Sequence, residues 1–114
     1  MILVVDDNSS LLVALVAMLE SAGHGAYGAS DGKAALECAR EHPIALLITD
    51  LIMPGQEGME TIRQFAKEFP HVPIIAISGK AEYLSAAKAV GAAIVLAKPI
   101  GYGALLEAVR KLIA

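Results

Sequence analysis

Five side chains suited to acid, metal or phosphoryl chemistry each stand at the end of a short apolar run. Asp6 and Asp7 follow ILVV (residues 2–5), Asp50 follows ALLIT (45–49), Ser78 closes IIAIS (74–78) and Lys98 follows AIVLA (93–97). Three carboxylates gathered in one place repel one another and raise one another's pKa, so a divalent cation is their natural occupant. An all-oxygen set with positions left for water suits Mg2+, whereas zinc takes His or Cys. Asp50 beside such an ion is a carboxylate nucleophile for phosphorus, with the ion and Lys98 taking up charge on the phosphoryl oxygens. The product, an aspartyl phosphate, is labile to water and suits a timed signal better than a permanent mark.

Each residue also has a plainer reading. Asp6 and Asp7 serve equally as a polar strand exit next to a helix cap, and Ser78-Gly79 as the start of a loop. Lys98 before Pro99 reads alternatively as a solvated lysine. Asp50 as a cap for the following helix is the weaker alternative, because Met53-Pro54-Gly55 intervenes before that helix starts. Gly58 is expected to start that helix where a side chain would clash.

The elements that must position these residues follow from the alternation of short apolar runs with segments of helical period, the mark of parallel strands joined by crossover helices. Strands are expected at 2–5, 25–29, 45–49, 74–78 and 93–97. The glycine-containing GAYGA (25–29) suits an edge better than a centre. Asn8, Ser9 or Ser10 caps a helix running to about Ala22, with Leu12, Leu15, Val16 and Leu19 inward and Gly23 as its stop. Asp31 opens a second helix with Ala34, Leu36, Cys38 and Ala39 inward, ended by His42 and Pro43.

The third helix covers Met59 to Phe69 with Ile62, Phe65, Ala66 and Phe69 inward, followed by helices at 81–90 and 104–113. Right-handed crossovers make all strands point the same way, so every residue just past a strand lies on one rim, where open α/β sheets bind ligands. The expected fold class is α/β, a three-layer sandwich with helices on both faces of one sheet.

At 114 residues the chain is expected to form one domain, 1–114, with no linker or repeat. A net charge of -3 and scattered Lys and Arg exclude a phosphate-backbone-binding stripe, so nucleic-acid binding by this domain is not expected. Cys38 stands alone and has no disulfide partner in the chain, which fits a reducing cytoplasm. Acids, Gly or Pro interrupt every apolar run, so neither a leader nor a membrane span is expected and the protein reads as soluble and cytoplasmic. His24, His42 and His71 lie in connections without ligand spacing, which leaves any phosphohistidine to a partner.

The ordered set ILVVDDN, LLITDLIMPGQEG, IIAISG and VLAKP resembles the receiver domain of two-component response regulators over nearly the whole chain. The resemblance implies a flavodoxin-like (βα)5 fold with a five-stranded parallel sheet of order 2-1-3-4-5. It implies that Asp50 is the phosphoryl acceptor and that Asp6, Asp7 and Asp50 hold Mg2+ together with the backbone carbonyl of Ile52. Ser78 would be the switch hydroxyl and Lys98 the partner of the phosphoryl group; a cis peptide at Pro99, as in the family, would aim the lysine, but the sequence leaves cis and trans open. The phosphodonor would be a histidine kinase or a histidine phosphotransfer protein. The surface expected to move is the fourth helix, fifth strand and fifth helix.

That face is also where a homodimer or a docked partner would sit, although Leu84, Ala87, Leu105 and Val109 there serve a core equally well. A stand-alone receiver and a piece of a larger protein both fit the sequence. The competing functions are a small Mg2+-dependent phosphatase or phosphotransferase with Asp50 as nucleophile, and a receiver-like module that is never phosphorylated.

Three positions depart from the family's usual pattern. Val95 stands where many receivers carry an aromatic that couples phosphorylation to the output face, so coupling is expected through loop and helix shifts or dimerisation, with Tyr83 or Tyr102 as substitutes. Ile52 places an apolar side chain over the site, and Lys80 places a cation two residues past Ser78. These two are expected to give the acyl phosphate a lifetime unlike that of receivers with polar side chains at both places. An unchanged dephosphorylation rate after both are substituted would count against that expectation.

Overall fold

The computed structural model describes residues 1–51 and 57–113. Strands β1 (Ile2–Val5), β2 (Ala26–Ala29), β3 (Leu46–Asp50), β4 (Ile74–Ser78) and β5 (Ile94–Ala97) alternate with helices α1 (Ser9–Ser21), α2 (Gly32–Glu41), α3 (Glu57–Glu68), α4 (Ala81–Val90) and α5 (Tyr102–Ile113). All strand pairs are parallel and the order is β2-β1-β3-β4-β5. This is the flavodoxin-like doubly wound sheet that the resemblance implies.

The three central strands are buried along their whole length because helices cover both faces. Side-chain alternation divides the core in two. Leu3, Val5, Leu47, Leu51, Ile74 and Ala76 pack with residues of α2, α3 and α4, among them Ala35, Leu36, Ile62, Phe65 and Ala87. Ile2, Val4, Leu46, Ile48, Ile75 and Ile77 pack with Leu15 and Leu19 of α1 and with Leu105, Ala108 and Val109 of α5. Ala87, Leu105 and Val109, residues that also suited a docking face, are therefore occupied by the chain's own core, and Leu84 is partly buried with them.

Element ends follow local chemistry. Asn8 caps α1, its side chain accepting from the Leu11 N–H, and Asp31 caps α2 in the same way from Ala34. Past the end of α1, Gly23 adopts φ 93°, a left-handed conformation that glycine takes without strain. Strand β2 is an edge strand, as its glycines suggest. Small shifts separate the expected and observed ends: β3 runs one residue further, to Asp50, because the Leu51 N–H still donates to the Ile77 carbonyl (3.0 Å). Helix α5 starts two residues earlier than expected, at Tyr102.

Candidate metal and phosphoryl site

Register sets the site out as a staircase across the rim. Val5 pairs with Thr49, which brings Asp6 level with Asp50; Asp50 pairs with Ile77, and Ser78 pairs with Ala97, the residue before Lys98. Asp6 and Asp50 are buried at 2% and 5% exposure, and Asp7 is exposed beside them. Each of the three carboxylates offers an oxygen within 4.8 Å of the others. Sequence reasoning selected these residues, and the fold brings them together.

Lys98 reaches back over the cluster. Its Nζ donates to Asp50 Oδ2 at 2.9 Å and lies 3.8 Å from Asp6 Oδ2. The Lys98-Pro99 peptide is cis. Asp6 Oδ1 also accepts from the Asn8 backbone N–H at 2.9 Å. Burial pushes the Asp6 carboxyl above its ordinary pKa, and the charges of Asp50 and Asp7 push the same way, against the Asn8 hydrogen bond and Lys98. Among the described residues, the charges acting on buried Asp6 are two acids against the Lys98 ammonium, which leaves the group short of positive charge. The residues present therefore fit a hard divalent cation on chemical grounds: all donors are oxygen, and they lie close enough to share one ion.

Ser78 is fully buried, and its Oγ accepts from the Lys80 N–H at 3.1 Å, which ties the start of the β4–α4 connection to the strand end. Lys80 Nζ stands 5.9 Å from the centre of the Tyr83 ring. Val95 is half-buried and packs against the core on the α2–α4 side; Tyr83 and Tyr102 are exposed at 40% and 51%. The Ile52 carbonyl, named as a ligand by resemblance, and the Met53-Pro54-Gly55 turn lie outside the described residues.

Two interactions escaped sequence reasoning, one beside the site and one between the carboxyl ends of α2 and α3. Thr49 is fully buried and its Oγ1 donates to the backbone carbonyl of Asp50 at 3.0 Å. The available signal was a lone hydroxyl inside an otherwise apolar strand. Arg40 and Glu68 form a two-point pair between α2 and α3, Nε to Oε1 at 2.6 Å and a terminal nitrogen to Oε2 at 2.9 Å. That hydrogen bonding holds the Glu68 carboxyl below its usual pKa. The two residues are 28 apart in sequence, a separation that no local pattern announces.

Fold and site together define a doubly wound α/β protein with an acidic pocket at the carboxyl ends of its strands. The chain matches the response regulator receiver domain over residues 2–110 and belongs to that family, the receiver domains of two-component signalling. Receiver domains generally accept phosphoryl groups from histidine kinases and bind Mg2+ at an acidic pocket.

Protein PilH of Pseudomonas aeruginosa is 32% identical, the match covering 99% of this chain and 97% of that protein. The transcriptional regulatory protein PhoP of Bacillus subtilis is 35% identical over 71% of this chain, which amounts to 34% of PhoP. Among solved structures, a receiver domain protein from Clostridium thermocellum superposes with a TM-score of 0.92 at 32% identity, covering 98% of this chain and 92% of that one. The Vibrio cholerae chemotaxis protein CheY4 gives 0.90 at 28% identity, covering 98% and 97%. Among the described residues, no helix is long and apolar enough to cross a membrane.

Proposed function

We propose that this chain is a phosphoacceptor switch in which Asp50 takes a phosphoryl group from the phosphohistidine of a histidine kinase or phosphotransfer protein. The observation that carries the reading is the convergence of Asp6, Asp7 and Asp50 on one rim with Lys98 Nζ 2.9 Å from an Asp50 oxygen. In the transfer, a carboxylate oxygen of Asp50 forms a bond to phosphorus. The bond from phosphorus to the donor imidazole nitrogen breaks, and that nitrogen keeps the electron pair. Asp6, Asp7 and Asp50 would hold Mg2+, which supplies positive charge against the phosphoryl oxygens when bound. Lys98 holds Asp50 in place before transfer and follows the charge outward to a phosphoryl oxygen afterwards.

Ser78 supplies the response. Its oxygen accepts from the Lys80 N–H, and its own proton is available for a phosphoryl oxygen, so a move toward that oxygen draws in the connection that leads to α4. A charge-assisted hydrogen bond contributes roughly 1.5–3 kcal/mol. Reversing a two-state population from 1:99 to 99:1 takes about 5.5 kcal/mol. Lys98 already has a carboxylate partner in this structure, so it contributes only the difference between two ionic bonds. The shift is therefore expected to be graded, with Ser78 providing most of the new interaction.

The deciding experiment is intact-mass measurement after incubation with a small acyl phosphate and Mg2+. The native chain should gain one phosphoryl group and Asp50→Ala none. A gain that persists in the variant would overturn Asp50 as the acceptor, and no gain by the native chain under any donor would favour a binding module that is never phosphorylated.

A further inference from the structure

An acid that must meet a phosphorus atom in line depends on the backbone that carries it, and at Asp50 that backbone is held on three sides. On the β4 side, the Leu51 N–H donates to the Ile77 carbonyl at 3.0 Å. From within β3, the Thr49 hydroxyl donates to the Asp50 carbonyl at 3.0 Å. Against the first turn of α3, a Cβ at Gly58 would stand 2.5 Å from Leu51 Cα and 2.6 Å from the carbonyl oxygens of Asp50 and Leu51. Main-chain atoms cannot give way as a flexible side chain does, so only glycine lets α3 seat this closely on the end of β3.

Neither residue is what packing alone would choose. Valine fills the space of Thr49 without placing a hydroxyl in a fully buried strand, where an unbonded one is costly. Glycine inside a helix is destabilising relative to alanine. Helix α3 is itself fixed at a distance from β3. Thr61 Oγ1 occupies the space that a side chain at Gly32 of α2 would take, and Arg40 grips Glu68 near the helix end. The contact at Gly58 therefore joins Asp50 to a braced pair of helices.

We propose that Thr49 and Gly58 are positioning residues that fix the main chain of Asp50 and thereby aim its carboxylate. The proposal rests on the reading of Asp50 as phosphoryl acceptor. A hydroxyl on one side and a missing side chain on the other hold the same carbonyl, so loss of either lets the Asp50–Leu51 peptide rotate. The carboxylate then swings relative to Asp6, Asp7 and Lys98 while the strand stays in place.

The test compares Thr49→Val, Thr49→Ser and Gly58→Ala for phosphorylation by a small acyl phosphate at saturating Mg2+, alongside thermal stability. Thr49→Val should slow transfer by about tenfold, below the roughly 100-fold that a 1 Å misplacement can cost. Thr49→Ser, which keeps the hydroxyl, should stay within about twofold of the native rate, a change under 0.5 kcal/mol by the same rate relation. Stability should rank the other way, since valine packs the buried site better than serine. A role in packing alone predicts that rate and stability rank together.

Gly58→Ala should be slowed at least as much as Thr49→Val, and if it fails to fold the Thr49 pair decides alone. A native rate in Thr49→Val, or equal slowing in Thr49→Ser, would overturn the proposal. Should the native chain accept no phosphoryl group, the acceptor reading fails separately. The Mg2+-induced shift of the Asp50 amide in NMR spectra then judges the positioning: Thr49→Val must alter it and Thr49→Ser must not.

Discussion

Strand β3 ends in Asp50 and β5 is followed directly by Lys98, yet the two strands are built differently. Every residue of β3 is buried and it lies at the centre of the sheet, while β5 is an edge strand whose residues are half-buried or exposed. The side chain of Asp50 is 6% exposed and that of Lys98 is 30% exposed. The acid proposed as acceptor thus ends a fully buried central strand, and its counter-charge follows a partly exposed edge strand. Under the proposed function the acid holds still while it reacts, and Lys98 follows the charge outward.

The first way to break this comparison is through packing. Ile48→Ala, in the middle of β3, should cost about 3 kcal/mol in urea unfolding. Val95→Ala on β5 should cost about 1 kcal/mol, because a half-buried side chain forfeits only part of its transfer free energy. Equal costs would remove the contrast.

The next largest effect should come from Lys98→Ala. Maximal transfer is expected to slow about tenfold, or roughly 1.4 kcal/mol. Mg2+ half-saturation should fall in the same variant, because an ammonium that stood 2.9 and 3.8 Å from two of the acids no longer opposes the cation. A weaker apparent affinity for Mg2+ would mean that Lys98 helps to build the cation site instead.

The smallest effect belongs to Asp6→Asn measured without a cation. The Asp6 pKa is raised in the folded chain, so the folded state binds its proton more readily than the unfolded one. The charged form therefore destabilises the fold above that pKa, and the penalty disappears as pH falls through it. The variant should be more stable than the native chain at neutral pH by on the order of 1 kcal/mol. Its advantage should shrink on acidification, and thermal unfolding at several pH values checks the trend.

How much of this was legible beforehand depends on the range of each signal. Apolar runs and caps such as Asn8 and Asp31 are local, and they located every strand and helix to within two residues. The acids, Ser78 and Lys98 were readable because parallel strands place all their exits on one rim. The hydrogen bond from Thr49 to its neighbour's carbonyl depends on a rotamer, and the fit of Gly58 against Leu51 depends on where α3 docks. A clash at Gly58 was expected from the sequence; that it would fall on Leu51 and the Asp50 carbonyl, and that Thr49 would bond that carbonyl, is not written in spacing. The Arg40–Glu68 pair joins two helices through residues 28 apart in sequence, a contact set by tertiary packing and by no local pattern.

The staircase register has a consequence for how the chain folds. Asp6 and Asp7 come from one strand end and Asp50 from another, so no cation-binding cluster exists until β1 and β3 are side by side. An ion held there binds the native chain and not the unfolded one. At 100 times its dissociation constant it would add about 2.7 kcal/mol to stability by mass action alone. The pocket that prepares the chain for a signal would then also serve as a clasp on the sheet, and its strength would be set by the concentration of a metal in solution.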